Sequence, residues 1–331
     1  MNIRILTTAH DLRRYNDWIL THPQGNLWQS LERKQYLEAC GKIVRIYVAE
    51  DDGGAIAASA LISIDRTIGG LSTWEIARGP LWKMENEKNV VDLLLERIIE
   101  DAKKNRCIEV LYSPAQDIKA FSILNSQFSI RHVYPQATRI LDLTHTEDRI
   151  LAAMHPKGRY NIGVARKHGI TVTEGSKQDI DAFYELLQNT GNRDGFKISQ
   201  KSHYTRFLSD LEGSFMLIAK HEGKAIAGLM GVTWNGTGFY YYGTSSYKHR
   251  HLMAPYLLQW EAIRYCKSAG CTRYDLLGIA PENVSKDDPW AGISDFKRKF
   301  GGEVITYPKE QMIVLRPIAK MMLELKRSIF G

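Results

Sequence analysis

Lysine, arginine and tyrosine, rather than a nucleophile or a metal cluster, are the chemistry-bearing residues that concentrate in this chain. The stretch SDFKRKFGGE, Ser294 to Glu303, sets Lys297, Arg298 and Lys299 between Phe296 and Phe300 and closes on a glycine pair. A second stretch, KGRYNIGVARKHG, carries Lys157, Arg159, Arg166 and Lys167 with no carboxylate among them. Between the two lies YYYG, Tyr240 to Gly243. Clustered cations suit polyanions, through long-range attraction and counterion release. A lysine can also steady an oxyanion in acyl transfer. By composition alone, FKRKF reads as a strand with aromatics inward and lysines in water. Solvated turn, anion clamp and catalytic element all remain open for it at this level.

The missing patterns narrow the field. Neither H-E-x-x-H nor H-x-E followed by P-C-x-x-C occurs, against the common zinc hydrolases and deaminases. Cys40, Cys107, Cys266 and Cys271 show no C-x-x-C spacing, so they are expected to be reduced and mostly buried, and no metal is expected. There is no Walker A loop and no G-x-S-x-G elbow. Net charge is +7 and apolar residues make up 44%, ordinary for a folded but basic protein. No apolar run approaches the roughly 18 residues needed to cross a bilayer. The opening MNIRILTTAHDLRRYNDW lacks a signal-peptide h-region, so a cytoplasmic location is expected.

The elements that must position these residues come in two copies. IYVAEDDGGAIAASALISI, from Ile46, resembles MLIAKHEGKAIAGLMGVTW, from Met216: apolar strand, polar glycine turn, apolar strand. An aromatic strand follows each, STWEIARGPLW and TGFYYYGTSS. Next comes a helix with apolar residues at three-and-four spacing, NVVDLLLERIIEDAKKN and APYLLQWEAIRYCKSAG. Each helix runs into a short strand, with Cys107 and Cys271 at matching entries. This is an α/β half-domain used twice. The join is expected near residues 140 to 155, giving units 1–150 and 151–331. There RILDLTHTEDRILAAMHP reads as a strand and a short helix capped by Thr144 or Thr146. The basic helix after it should end at Gly169, and another helix should span ~181–191. IAKMMLELKRSIF reads as an amphipathic helix suited to core or interface packing rather than membrane insertion.

Four ordered blocks carry a resemblance: KGRYNIGVARKHGI, YYYGTSS, LMAPYLLQWEAIRYCKSAGCTRYDLLGI and FKRKFGGEVITYPKE. Together they resemble the Fem-type (FemABX) transferases, which pass amino acids from aminoacyl-tRNA to the stem peptide of a peptidoglycan precursor. The first half, with NLWQSLERKQYL, fits more loosely. The resemblance implies tandem GNAT-type acyltransferase domains in the short form, without the coiled-coil arm some members carry. Ordinary GNAT acetyltransferases are the nearest rival. Their glycine-rich coenzyme A turn has no counterpart in YKHRHLMAPYLL or ENEKNVVDLLL, which disfavours coenzyme A.

The family likeness also assigns roles. The Phe296-Lys297 pair matches a lysine important for transfer, and Lys297 is expected to stabilise the oxyanion. Tyr204, in KSHYTRF, and Tyr242 match tyrosines that contact the precursor; Phe296 belongs to the same substrate set. Asp275 is the strand-end carboxylate, placed either near the acceptor or in an ion pair with a neighbouring helix. Lys34 stands one place from a precursor-binding lysine, with Arg33 where tryptophan is usual. Ser113 replaces a carboxylate found in some relatives, and Ser199-Gln200 an arginine for which Arg193, Lys197 or Lys201 could substitute. Contacts to tRNA fall to Arg298, Lys299, Lys157, Arg159 and Arg166. Tyr240 and Tyr241 should alternate between core and cleft, and Trp260 should be core. No cofactor is implied beyond aminoacyl-tRNA as donor. The implied partner is a nucleotide- or lipid-linked precursor, with peripheral contact at the inner membrane surface. Another amide-forming transferase of the fold, or a non-catalytic tRNA or precursor binder, are the alternatives.

Overall fold

Apolar strands joined by glycine turns pair with their sequence neighbours, and both copies of the repeat do so here. The computed structural model describes residues 1–83, 89–115, 127–128, 134–195, 197–281 and 290–330. It divides into two units, Met1–Gln136 with Tyr307–Gly331, and Ala137–Thr306. The first runs through β1 (Asn2–Ile5), α1 (Ala9–Thr21), α2 (Leu31–Ala39), β2 (Ile43–Glu50), β3 (Ile56–Arg66), β4 (Ser72–Ala77), β5 (Leu81–Trp82), α3 (Asn89–Lys104), β6 (Cys107–Ser113) and β7 (Gln127–Phe128). The second holds β8 (Ala137–Asp142), α4 (Glu147–Ala153), α5 (Pro156–Lys167), β9 (Thr171–Glu174), α6 (Ile180–Asp194) and α7 (Lys201–Asp210). It continues with β10 (Ser214–His221), β11 (Lys224–Trp234), β12 (Thr237–Ser245), α8 (Ala254–Ser268), β13 (Arg273–Asp275), α9 (Ala291–Arg298) and β14 (Glu303–Thr306). The chain then supplies β15 (Gln311–Val314) and α10 (Pro317–Phe330) to the first unit.

The sheets run β1-β2-β3-β4-β6-β15-β7, with β5 on β3, and β14-β8-β13-β12-β11-β10-β9. Both hairpins, β2–β3 and β10–β11, carry a register shift at the same place in the repeat, Ala49/Glu50 and Ala219/Lys220. In each unit a helix crosses over between two parallel strands, α3 between β4 and β6 and α8 between β12 and β13. The helices bury the stripes their spacing dictates: Val91, Leu94, Leu95, Ile98 and Ala102 on α3, and Leu258, Ala262, Ile263 and Cys266 on α8, with Trp260 in the same core. Gly238 on β12 allows that contact, because a Cβ there would lie 2.4 Å from Cys266 Sγ. Cys107, Cys266 and Cys271 are buried free thiols, and Cys40 is half-buried.

Two sequence expectations are corrected. The units do not meet at residue 150. The strand closing each copy of the repeat hydrogen-bonds in the other sheet: β8 beside β13 and β14, β15 beside β6 and β7. A hydrophobic pattern read along the chain records that a strand exists, not which sheet it joins. FKRKF is also not a strand. It ends α9, and Phe296 and Phe300, four apart, fall on one helix face against Tyr256 at 5.2 and 5.8 Å between ring centroids. Gly301 and Gly302, at φ +80 and +81, then turn the chain into β14. Smaller expectations match: Thr146 caps α4, Gly169 follows α5 in the left-handed region, and α6 covers the expected helix. Among the described residues, no helix is long and apolar enough to cross a membrane.

Candidate functional site

Strand β12 changes character halfway along. Its parallel pairing with β13 covers only Thr237–Phe239 against Arg273–Asp275, and it then runs on through Ser245 with no strand on that side among the described residues. An open strand edge of this kind can pair with an extended, amide-rich ligand. A bulge lies at the same level. Met230 pairs with Tyr242 and Gly231 with Tyr240, so Tyr241 is the extra residue. Bulges re-aim side chains, and this one separates the tyrosines. Tyr240 packs against the core of the second unit, whereas Tyr241 and Tyr242 both pack on Phe207. Tyr240 and Tyr241 thus separate as expected, and the bulge breaks the alternation only between Tyr241 and Tyr242.

Beside Tyr240, where β13 ends, lies Lys297. Leu277 takes a positive φ of 53, rare for a branched side chain, in the turn just after β13. The turn is tied from both sides. Asp275 Oδ1 accepts the Leu277 N–H at 2.7 Å and the Thr138 hydroxyl, while Lys297 Nζ donates to Gly278 O at 2.7 Å and Leu277 O at 3.2 Å. Lys297 is only 5% exposed and its Nζ lies 5.5 Å from the Tyr240 ring centroid. Burial pushes its amine down to about 8, against the opposing pull of the Asp275 charge. Of three donors on the ammonium, two go to carbonyls. Among the described residues nothing takes the third, which leaves it for an oxygen that develops charge.

On the other side of the bulge, α7 and β12 bring Tyr204 and Tyr242 together, with ring centroids 5.1 Å apart. His203 Nε2 lies 2.8 Å from the Tyr242 hydroxyl, and Tyr204 Oη accepts the Ser199 N–H at 3.2 Å. Burial raises the Tyr204 phenol above its ordinary value. His203 was missed in the sequence. Its position beside Tyr204 in KSHYTRF is the signal that could have found it, because the first turn of α7 carries both rings. Phe296 contributes its ring to the Tyr256–Phe300 stack behind Lys297.

The family model described as "FemAB family" matches residues 11–132, 125–222 and 212–325. The chain belongs to the FemAB family. A lipid II:glycine glycyltransferase from Staphylococcus saprophyticus is 22% identical over an alignment that covers 94% of this chain and 91% of that protein. The crystal structure of FemX aligns with a TM-score of 0.80 at 17% identity, covering 98% of this chain and 100% of that one. A tandem GNAT protein from the clavulanic acid biosynthesis pathway aligns at 0.63 and 14% identity, over 95% and 98%. The fold is thus a tandem GNAT fold, and this FemAB chain is an amide-forming transferase.

The remaining predicted residues of this FemAB chain fare differently. Lys34 lies along α2 and pairs with Glu38 at 2.7 Å. Its neighbour Arg33 instead lines a small cleft of about 30 Å³ in the first unit, with Trp28, Lys42, Glu75 and Tyr134. The FemAB second unit keeps Lys157 and Arg166 exposed, Arg166 within 3.7 Å of Glu261. Arg159 donates to Ala152 O at 3.0 Å and to Met154 O, so its guanidinium closes the C-terminus of α4. Arg298 is exposed but bonded to Asp295 at 2.7 Å, and Lys299 is partly buried on the same carboxylate. Lys201, one candidate to replace the absent arginine, pairs with Asp181 at 2.7 Å.

Proposed function

We propose that this FemAB chain transfers an amino acid from aminoacyl-tRNA to the amine of a peptidoglycan-precursor stem peptide, extending an interpeptide bridge. The name of its staphylococcal relative, lipid II:glycine glycyltransferase, supports the bridge assignment. The observation that carries the chemistry is the buried Lys297, cradled by two carbonyls at the point where β12 and β13 part.

An aminoacyl ester is already activated, so the reaction needs position and charge stabilisation rather than ATP, a cofactor or a covalent enzyme intermediate. The acceptor amine attacks the ester carbonyl carbon and forms the C–N bond, and the carbonyl oxygen becomes an oxyanion beside the Lys297 ammonium. Collapse breaks the carbon–oxygen bond to the ribose, and the departing ribose oxygen takes up a proton equivalent to the one released by the amine. The free edge of β12 holds the extended peptide, and Tyr204, Tyr242 and His203 line its far end. Lys157 and Arg166 supply exposed cations for the RNA phosphates. The reaction takes place in the cytoplasm, where charged tRNA resides.

Purified protein, supplied with a pool of charged tRNA and with nucleotide-linked or lipid-linked precursor, tests the reading. Labelled amino acid should appear on the stem peptide only when the tRNA is charged. Turnover supported by acetyl-coenzyme A alone would overturn the donor assignment.

A further inference from the structure

Helix α10 is built the wrong way round for a core helix. Ile318, Met321, Met322 and Leu325 are 71, 65, 64 and 61% exposed, and their spacing places them in one stripe along the helix. The buried side instead carries Lys320, whose Nζ pairs with the buried Glu109 of β6 and lies 3.0 Å from Glu324. That ion pair fixes the rotation of the helix on the first unit and turns the apolar stripe outward. A row of large exposed apolar side chains marks a surface that meets an apolar phase or a partner.

We propose that α10 is a membrane-surface element whose stripe enters the interfacial layer of an anionic bilayer. Charge selects this occupant. Arg316 is exposed at the start of the helix, and the sequence continues past Leu325 with Lys326-Arg327. Between Pro317 and Leu325 the sole carboxylate is Glu324, which lies 3.0 Å from Lys320 Nζ. Cations flanking an apolar stripe suit anionic headgroups. A second copy of the chain would bring those same cations against one another. With 14 residues, the helix is shorter than the roughly 20 needed to span a bilayer and lies in its plane. The inference stands on the helix and its charges, separately from the transfer chemistry.

The test uses the full chain with phosphatidylcholine vesicles, with or without phosphatidylglycerol, and the paired substitutions Met321→Gln and Leu325→Gln. Both side chains lie off the Lys320–Glu109 contact, so an unchanged thermal melt controls for folding. The wild type should sediment with the anionic vesicles and not with the neutral ones, and the double variant should bind at least about tenfold more weakly. Equal binding by wild type and variant, or no binding of the wild type to anionic vesicles, overturns the proposal. So does self-association of the wild type that the variant abolishes while vesicle binding persists. Transfer to a water-soluble acceptor is measured in parallel and should be unchanged in the double variant. Failure of the transfer reading therefore leaves the vesicle result standing, and the reverse.

Discussion

Replacing Lys297 by methionine keeps the length of the side chain and removes its ammonium, and two magnitudes follow. Loss of one oxyanion donor typically lowers kcat by about 10²–10³. The second magnitude comes from burial. Because the amine falls from 10.5 to about 8 in the fold, holding it charged costs the folded state on the order of 3 kcal/mol. The direction is set by proton binding. Between about pH 8 and 10.5 the unfolded chain keeps a proton that the folded chain has released, so wild-type stability rises with pH across that window. Below about pH 8 both states are protonated and the cost is present in full. Lys297→Met should lack this rise. Tyr47, pushed up to about 12 by burial, loses stability above pH ~10 in both proteins and cancels in the difference. Denaturant melts at a series of pH values, paired with single-turnover transfer from charged tRNA, read both effects. If the charged form acts, wild-type turnover should also fall as pH passes through about 8. A folded Lys297→Met protein transferring within about threefold of wild type would refute the oxyanion role. A stability difference flat in pH would refute the buried charge.

Removing the cation beneath α10 by Lys320→Met should destabilise the chain by about 3–5 kcal/mol, since Glu109 would remain buried without that partner; urea melts should show it, and adding Glu109→Gln should recover part of the loss. Tyr242→Phe removes the hydroxyl that meets His203 at 2.8 Å; the acceptor KM should rise by roughly three- to tenfold with kcat changed far less, and equal losses in both would argue against a binding role.

Much of the fold was legible because strands and helices leave different periods. The duplicated hairpins and both crossover helices could be placed from spacing alone, and the cap of α4 was narrowed to Thr144 or Thr146. FKRKF shows where composition misleads: five residues of mixed charge and aromatics suit a strand, but the F-x-x-x-F spacing is that of a helix face, and Tyr256 from α8 completes the contact. The exchanged strands β8 and β15 were illegible because pairing partners are set by the sheet and not by local sequence. For the site, Lys297 was singled out through resemblance. Its carbonyl cradle depends on the left-handed Leu277, a residue whose type advertises nothing of the kind. Arg159 illustrates the converse, a cation that looks available for a polyanion yet closes a helix end.

The two copies of the repeat also differ in a way that bears on where the proposed chemistry would sit. In the first unit β4 stays paired with β6 along its whole length, Ser72–Ala77 against Cys107–Ser113. On the other side of β4, the fully buried Gln29 bridges it to β3, accepting the Leu61 N–H at 2.7 Å and donating to Ala77 O at 2.6 Å. In the second unit the parallel pairing ends after Phe239 and Asp275, and among the described residues no strand takes up the rest of that β12 edge. Duplication kept the hairpin, its bulge and the crossover helix in both copies, since those bury the cores. It did not keep the slot, because an unpaired strand edge costs stability unless a ligand uses it. That difference supports assigning transfer to the second unit. Closing the β12 edge should accordingly abolish transfer, whereas changes at Gln29 should act through stability alone.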